Sequence, residues 1–191
     1  MKKPLIFTVG HSTRSIDEFT QLLKAHGVQQ IVDVRSIPLS RRNPQFNTNT
    51  LKESLRQGHI RCKHLKKLGG LRRPKKDSAN LGWRNASFRG FADHMASPEF
   101  AEGLEALAAI AHARATAVMC AEAVPWRCHR SLIADALTKQ GWLVKDIFSA
   151  RIAKTHRLTP FLKMRKGQIT YPEIKPERPK TGSPRTRSKL K

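Results

Sequence analysis

The chain has 191 residues, 39% of them apolar, and 37 Lys and Arg stand against 14 Asp and Glu, a formal net charge of +23. That is enough chain for one domain with a packed core. No run reaches the roughly 18 apolar residues of a membrane span, and three cysteines, an odd number, argue against a disulfide-built scaffold.

Residues 5–12, "LIFTVGHS", read as a buried strand ending in glycine. The run is too short for a secretory leader and lacks a small-residue cleavage site. "STRSIDEFTQLLKAHG" follows with Ile16, Phe19, Leu22 and Leu23 at helical spacing, Ser12 or Ser15 as N-cap and Gly27 as the stop. Residues 28–35, "VQQIVDVR", are a second strand. Residues 36–48 hold two prolines without periodicity and read as a loop. Residues 48–58 are a short helix, and "HIRCKHLKKLGG" (59–70) a short strand and turn. Residues 71–94 read as a long, basic, irregular loop. Residues 97–113 are a helix with Ser97 as N-cap and Pro98 at its first position. "ATAVMCAE" (115–122) is a strand, "HRSLIADALTKQG" (129–141) a helix and "WLVKDIF" (142–148) a last strand.

Alternating strands and helices predict an α/β fold: a single domain with a mostly parallel, Rossmann-like sheet flanked by helices and carrying long basic loops. The α/β domain is expected over residues 1–150, with a C-terminal extension over 151–171. Residues 172–191 hold seven Lys and Arg against two Glu and read as a disordered basic tail. Free thiols without a leader predict a cytoplasmic protein. A charge this large destabilises a compact state by self-repulsion, so it points to a polyanionic partner. Nucleic acid or a phosphorylated small molecule is expected, and a membrane is not. The oligomeric state is not readable.

In parallel α/β sheets ligands bind beyond the carboxyl ends of the strands. Three predicted strand ends carry polar groups: "GHS" (10–12), "DVR" (33–35) and "CAE" (120–122). The catalytic candidates are His11, Asp33, Cys120 and Glu122. Asp33 and Arg35 alternate with Val32 and Val34, so they read either as site residues or as an internal ion pair. Glu122 suits a general acid or base. Cys128 lies beside His129 and Arg130 at a predicted helix start, where dipole and cations favour a thiolate. Cys120, Cys128 and His129 are candidate ligands for zinc or iron, with His11 or the pair Cys62 and His64 as a complement.

The binding candidates lie in the arginine-rich loops. Ser12, Arg35, Arg41, Arg42 and Asn43 come from the first half, and Arg72, Arg73, Arg84 and Arg89 from the long loop. Trp83, Phe88 and Asn85 read either as base-stacking and base-edge groups or as packing and capping groups. Trp126, Arg127, His129 and Arg130 complete the set around "MCAEAVPWRCHRS".

The segments "TVGHSTRSIDEF", "IVDVRSIPLSRRNPQF", "LGGLRR", "GWRNASFRGFADHM" and "CAEAVPWRCHRSLIADAL" resemble the bacterial domain-of-unknown-function 488 family, over residues 6 to 148. The resemblance implies an α/β fold, a cytoplasmic setting and GHS, DVR and CAE–CHR brought together. It implies no settled reaction.

Four readings follow. The first is an enzyme acting on nucleic acid or a nucleotide-like substrate by a base-excising, hydrolytic or base-modifying reaction. The second is a rhodanese-like sulfurtransferase. Against it, the segment from Cys120 to Arg130 is long for that loop and contains Pro125, which has no N–H. The third is a metal-dependent enzyme whose "CAE" and "PWRC" resemble a compressed zinc-deaminase signature. The fourth is a non-catalytic DNA- or RNA-binding module with a phosphate-binding corner.

Overall fold

The computed structural model describes residues 3–165 and 167–174. Five strands run parallel: β1 (Leu5–Gly10), β2 (Gln30–Asp33), β3 (Arg61–His64), β4 (Thr116–Cys120) and β5 (Leu143–Ser149). β6 (Ile152–Thr155) lies antiparallel to β5, and the sheet order is β3-β2-β4-β1-β5-β6. The helices are α1 (Ile16–Ala25), α2 (Thr48–Gln57), α3 (Ala86–His94), α4 (Pro98–Ala113) and α5 (Arg130–Lys139). The fold is α/β around a mostly parallel sheet, as the alternating pattern predicts.

β2 and β4 are buried along their whole length because helices cover both faces of the sheet. Alternation splits the strand residues between two cores. Phe7, Val9, Ile31 and Met119 pack with Phe19, Leu23, Leu51 and Leu55 of α1 and α2. Ile6, Val32, Val34 and Val118 pack on the opposite face with Leu104, Leu107, Leu132 and Ile133 of α4 and α5. The helices start where the sequence places them. Ser15, not Ser12, caps α1, in a reciprocal capping box with Glu18, and Ser97 accepts from Phe100 N at the start of α4.

The topology opens a crevice. β1 leads into α1 on one face, while its neighbour β4 leads into α5 on the other. Adjacent strands whose connections leave to opposite sides part at their carboxyl ends.

Two regions differ from the pattern. Within the expected loop 71–94, residues Ala86–His94 form α3, capped by Asn85, whose side chain accepts from Ser87 N and Phe88 N. Gly90 sits in this helix because a Cβ there would lie 2.3 Å from Arg72 O. The sheet also continues past residue 150 through β6, and β7 (Lys163–Arg165) pairs with β8 (Gln168–Thr170). The expected basic tail lies, from residue 175 on, outside the described residues.

A buried network ties the segment after β6 to the domain. Asp135 of α5 accepts from Tyr171 Oη at 2.9 Å and from Thr159 N and Oγ1 at 3.0 and 2.7 Å. His156 bridges Asp135 at 3.0 Å and Asp146 at 3.1 Å, and Thr8 Oγ1 donates to Asp146. Burial alone would depress the His156 pKa, but the two carboxylates outweigh it and push it up to about 9. The folded state therefore binds a proton that the unfolded chain releases near pH 6.5. This stabilisation is complete below pH 6.5 and lost as pH rises through 9. Thermal denaturation should show a midpoint that falls between pH 7 and 10, and His156→Gln should start lower and flatten that slope.

Candidate functional site

The three polar strand ends meet through their backbones. Gly10 pairs with Cys120 and Asp33 with Met119. The ladder continues past the strands: His11 N donates to Cys120 O at 2.9 Å, Ser12 N to Ala121 O at 2.8 Å and Val34 N to Met119 O at 3.0 Å. Ser12 takes a φ of 54°, in the left-handed region, where the chain leaves β1. Gly10 is dictated by closeness, since a Cβ there would sit 1.7 Å from Glu122 O.

The side chains of this edge divide into two groups. Below the surface, Arg35 Nε and Nη2 donate to the Asp33 carboxylate at 2.9 and 2.6 Å, and Nη2 also to Phe46 O at 2.7 Å. Asp33 and Arg35 are both buried. His11, also buried, stacks on Phe46 at 4.0 Å between ring centres. Its Nδ1–H donates to Ser12 O at 2.8 Å, which leaves Nε2 to accept from Arg35 Nη1 at 3.3 Å. Burial pushes the His11 pKa down to about 4, so the ring is neutral at pH 7. Of these three, only Arg35 lines the cleft above.

The second group forms that cleft, of about 340 Å³. Cys120, Cys128 and His129 lie in it, with Glu122 and Arg127 exposed at its rim. The sulfurs of Cys120 and Cys128 are 3.9 and 3.8 Å from His129 Nδ1, and all three ligand atoms lie within 4.8 Å of one another. His129 Nε2 faces Val34 O and Leu68 O, each at 3.1 Å. Two carbonyls there require the proton on Nε2, so in the neutral ring Nδ1 turns its lone pair to the sulfurs. Cys120, held beside Cys128 and buried, is pushed well above the usual thiol range. Cys128, beside Cys120, is pulled well below the range despite its burial. Between the two thiols the proton therefore favours Cys120.

Sequence reasoning missed the residues that frame this cluster. Gly70 leaves the room in which His129 sits, since a Cβ there would lie 2.3 Å from His129 Nδ1. Ser36 and Ser87 also line the cleft. The paired glycines of "LGGLRR" were the available signal for a close approach.

Other candidates fall elsewhere. Among the described residues, neither His11 nor the pair Cys62 and His64 joins the cluster that could hold an ion. The Cys62 thiol is pushed up to about 11 by burial and then by Asp33, and His64 Nε2–H donates to Arg35 O. Arg130 is buried, its two terminal nitrogens on Glu122 O at 2.6 Å and Ala123 O at 3.1 Å, so it points away from the cleft. Arg72 pairs with Glu99, while Arg41, Arg42, Arg73 and Arg84 are exposed and Arg89 is half-buried. Asn43 is half-buried, its N–H donating to Ser40 Oγ, and Asn85 caps α3. Trp83 packs with Phe88, Phe161 and Tyr171, and Phe88 reaches the cleft wall. Trp126 is 65% exposed.

A family model described as a domain of unknown function, DUF488, matches residues 15–137. The chain belongs to the DUF488 family. The matched span contains Asp33, Arg35, Cys120, Glu122, Cys128 and His129, and begins after His11. The DUF488 description assigns no reaction. No curated protein and no solved structure matches the chain.

The buried pair under the cleft is open to test. Arg35→Met strands the Asp33 carboxylate, and breaking such a pair costs about 3–5 kcal/mol. Urea denaturation should show a loss of that order, and adding Asp33→Asn should recover part of it.

Proposed function

We propose that this chain is an enzyme acting on a nucleotide-like substrate, free or within nucleic acid, by a hydrolytic or base-modifying reaction in the cleft above β4. One observation carries the reading: two sulfurs and an imidazole lone pair converge in that cleft beside the exposed carboxylate of Glu122. The donor set is soft and suits zinc or iron. Tetrahedral zinc, with bonds of about 2.3 Å to sulfur and 2.0–2.1 Å to nitrogen, holds S and N about 3.6 Å apart. The separations of 3.9 and 3.8 Å are close to that. His129 is also oriented as ligating histidines are, with its far N–H tied to backbone carbonyls.

Three protein ligands leave a fourth position, the pattern of catalytic rather than structural sites. A metal held there supplies Lewis-acid activation of water. In this reading Glu122, at the rim of the cleft, would take a proton from water and return it to the leaving group. Arg127 and the amino end of α5 favour an anionic substrate, in keeping with a net charge of +23.

A second reading keeps the cluster and drops the metal. The lowered Cys128 thiol favours a thiolate nucleophile. Sulfur transfer of the rhodanese kind is the weaker form of it, because Arg130 is turned inward onto Glu122 O and Ala123 O.

Mass-spectrometric metal analysis of the purified chain tests the choice. The expected result is about one equivalent of zinc or iron, lost in Cys120→Ser and Cys128→Ser. Glu122→Gln should keep the metal and lose about 10²–10⁴-fold in turnover. A metal-free protein with rapid alkylation of Cys128 by iodoacetamide selects the thiolate reading. A metal-free protein with both thiols inert removes both.

A further inference from the structure

We propose that a second, larger cleft, on the other side of the β4–α5 connection, is a track for single-stranded nucleic acid leading to the first. It has a volume of about 1140 Å³ and is walled by Trp126, Phe148, Phe161, Lys154 and Arg157. Trp126 is the exception among the three tryptophans. Trp83 is stacked among aromatic rings and Trp142 is 5% exposed, but Trp126 is 65% exposed. Its ring centre lies 6.2 Å from that of Phe148, and Lys154 Nζ lies 5.9 Å from the Phe148 ring centre. Flat rings interleaved with cations are the surface on which successive bases stack while their phosphates are held.

Charge decides what kind of occupant fits. The acid of this cleft, Asp146, is already engaged by Thr8 and His156. Lys154 and Arg157 are exposed and have no ion-pair partner among the described residues. The occupant is therefore an anion, which rules out the chain's own cationic 175–191 segment. An exposed indole then selects an anion with free aromatic faces. A duplex keeps its base faces stacked inside, whereas a single strand presents them. Continuity points the same way, since Trp126 lines the larger cleft and Arg127 the smaller. The inference rests on the nucleotide reading of the first cleft and names the polymer that would deliver the nucleotide.

The test is fluorescence anisotropy with a fluorescein-labelled single-stranded oligonucleotide of mixed sequence, beside its duplex, over a salt series. The single strand should bind more tightly than the duplex. Trp126→Ala should weaken it about 5- to 100-fold, in line with the stacking of a base on an aromatic ring. Trp126→Phe should restore most of the binding. Lys154→Gln with Arg157→Gln should weaken binding and reduce the slope of log affinity against log salt. Metal content measured on the Trp126 and Lys154/Arg157 variants beside their binding keeps failure of the chemistry and failure of the track separate, since neither set of side chains belongs to the Cys120–Cys128–His129 cluster. Affinity within twofold of the parent in both the tryptophan and the double charge variants would overturn the inference. So would a duplex preference.

Discussion

A single buried guanidinium holds the corner where the reactive groups gather. Arg130 is 1% exposed, and its terminal nitrogens fix the carbonyls of Glu122 and Ala123. Without that donor, two carbonyls in a tight connection would lose the partner that holds them in place. Gly10 completes the arrangement from the other side by leaving out the atom that would block Glu122 O. Guanidinium and glycine together let the chain fold back on itself, so that Cys120 at a strand end and Cys128 at a helix start reach the same imidazole.

Around this corner, buried charges build the scaffold and exposed ones are left for ligands. The Asp33–Arg35 pair with His11, and the Asp135–His156–Asp146 bridge, satisfy their members internally. Such networks add little net stability over apolar packing, but they fix one arrangement, because removing any member leaves a charge or a polar atom stranded. Glu122, Trp126, Arg127, Lys154 and Arg157 stay at the surface of the two clefts. A neutral His11 held between Arg35 and the Ser12 carbonyl belongs with the scaffold on this geometry.

The parallel sheet was legible because its strands are short apolar runs that end in glycine or a polar triplet, and their helices begin with Ser15 and Ser97 caps. The gathering of GHS, DVR and CAE followed from topology alone. Helix α3 was not legible, because Gly90 in its centre reads as a breaker until the Arg72 carbonyl beside it is known. The direction of an arginine was equally hidden. Arg72 and Arg130 look like phosphate ligands in sequence, yet one pairs with Glu99 and the other turns into the core. The second cleft was illegible as well, since Phe148, Lys154 and Arg157 meet Trp126 only once β6 folds back along β5. The partnership of His129 with Gly70 depends on two segments 59 positions apart in the chain, with no pattern linking them.

The connection from Cys120 to Cys128 is a wall common to both clefts, with Trp126 on one side and its neighbour Arg127 on the other. Its ends are fixed, one by the register of Cys120 against Gly10 and the other by entry into α5, and Pro125 stiffens its middle. The distance between the clefts is therefore set by this short, braced segment. For any chain-like ligand long enough to occupy both, the segment acts as a ruler. Under the proposed track, it would determine how many units of that ligand separate the one beside Trp126 from the one at His129.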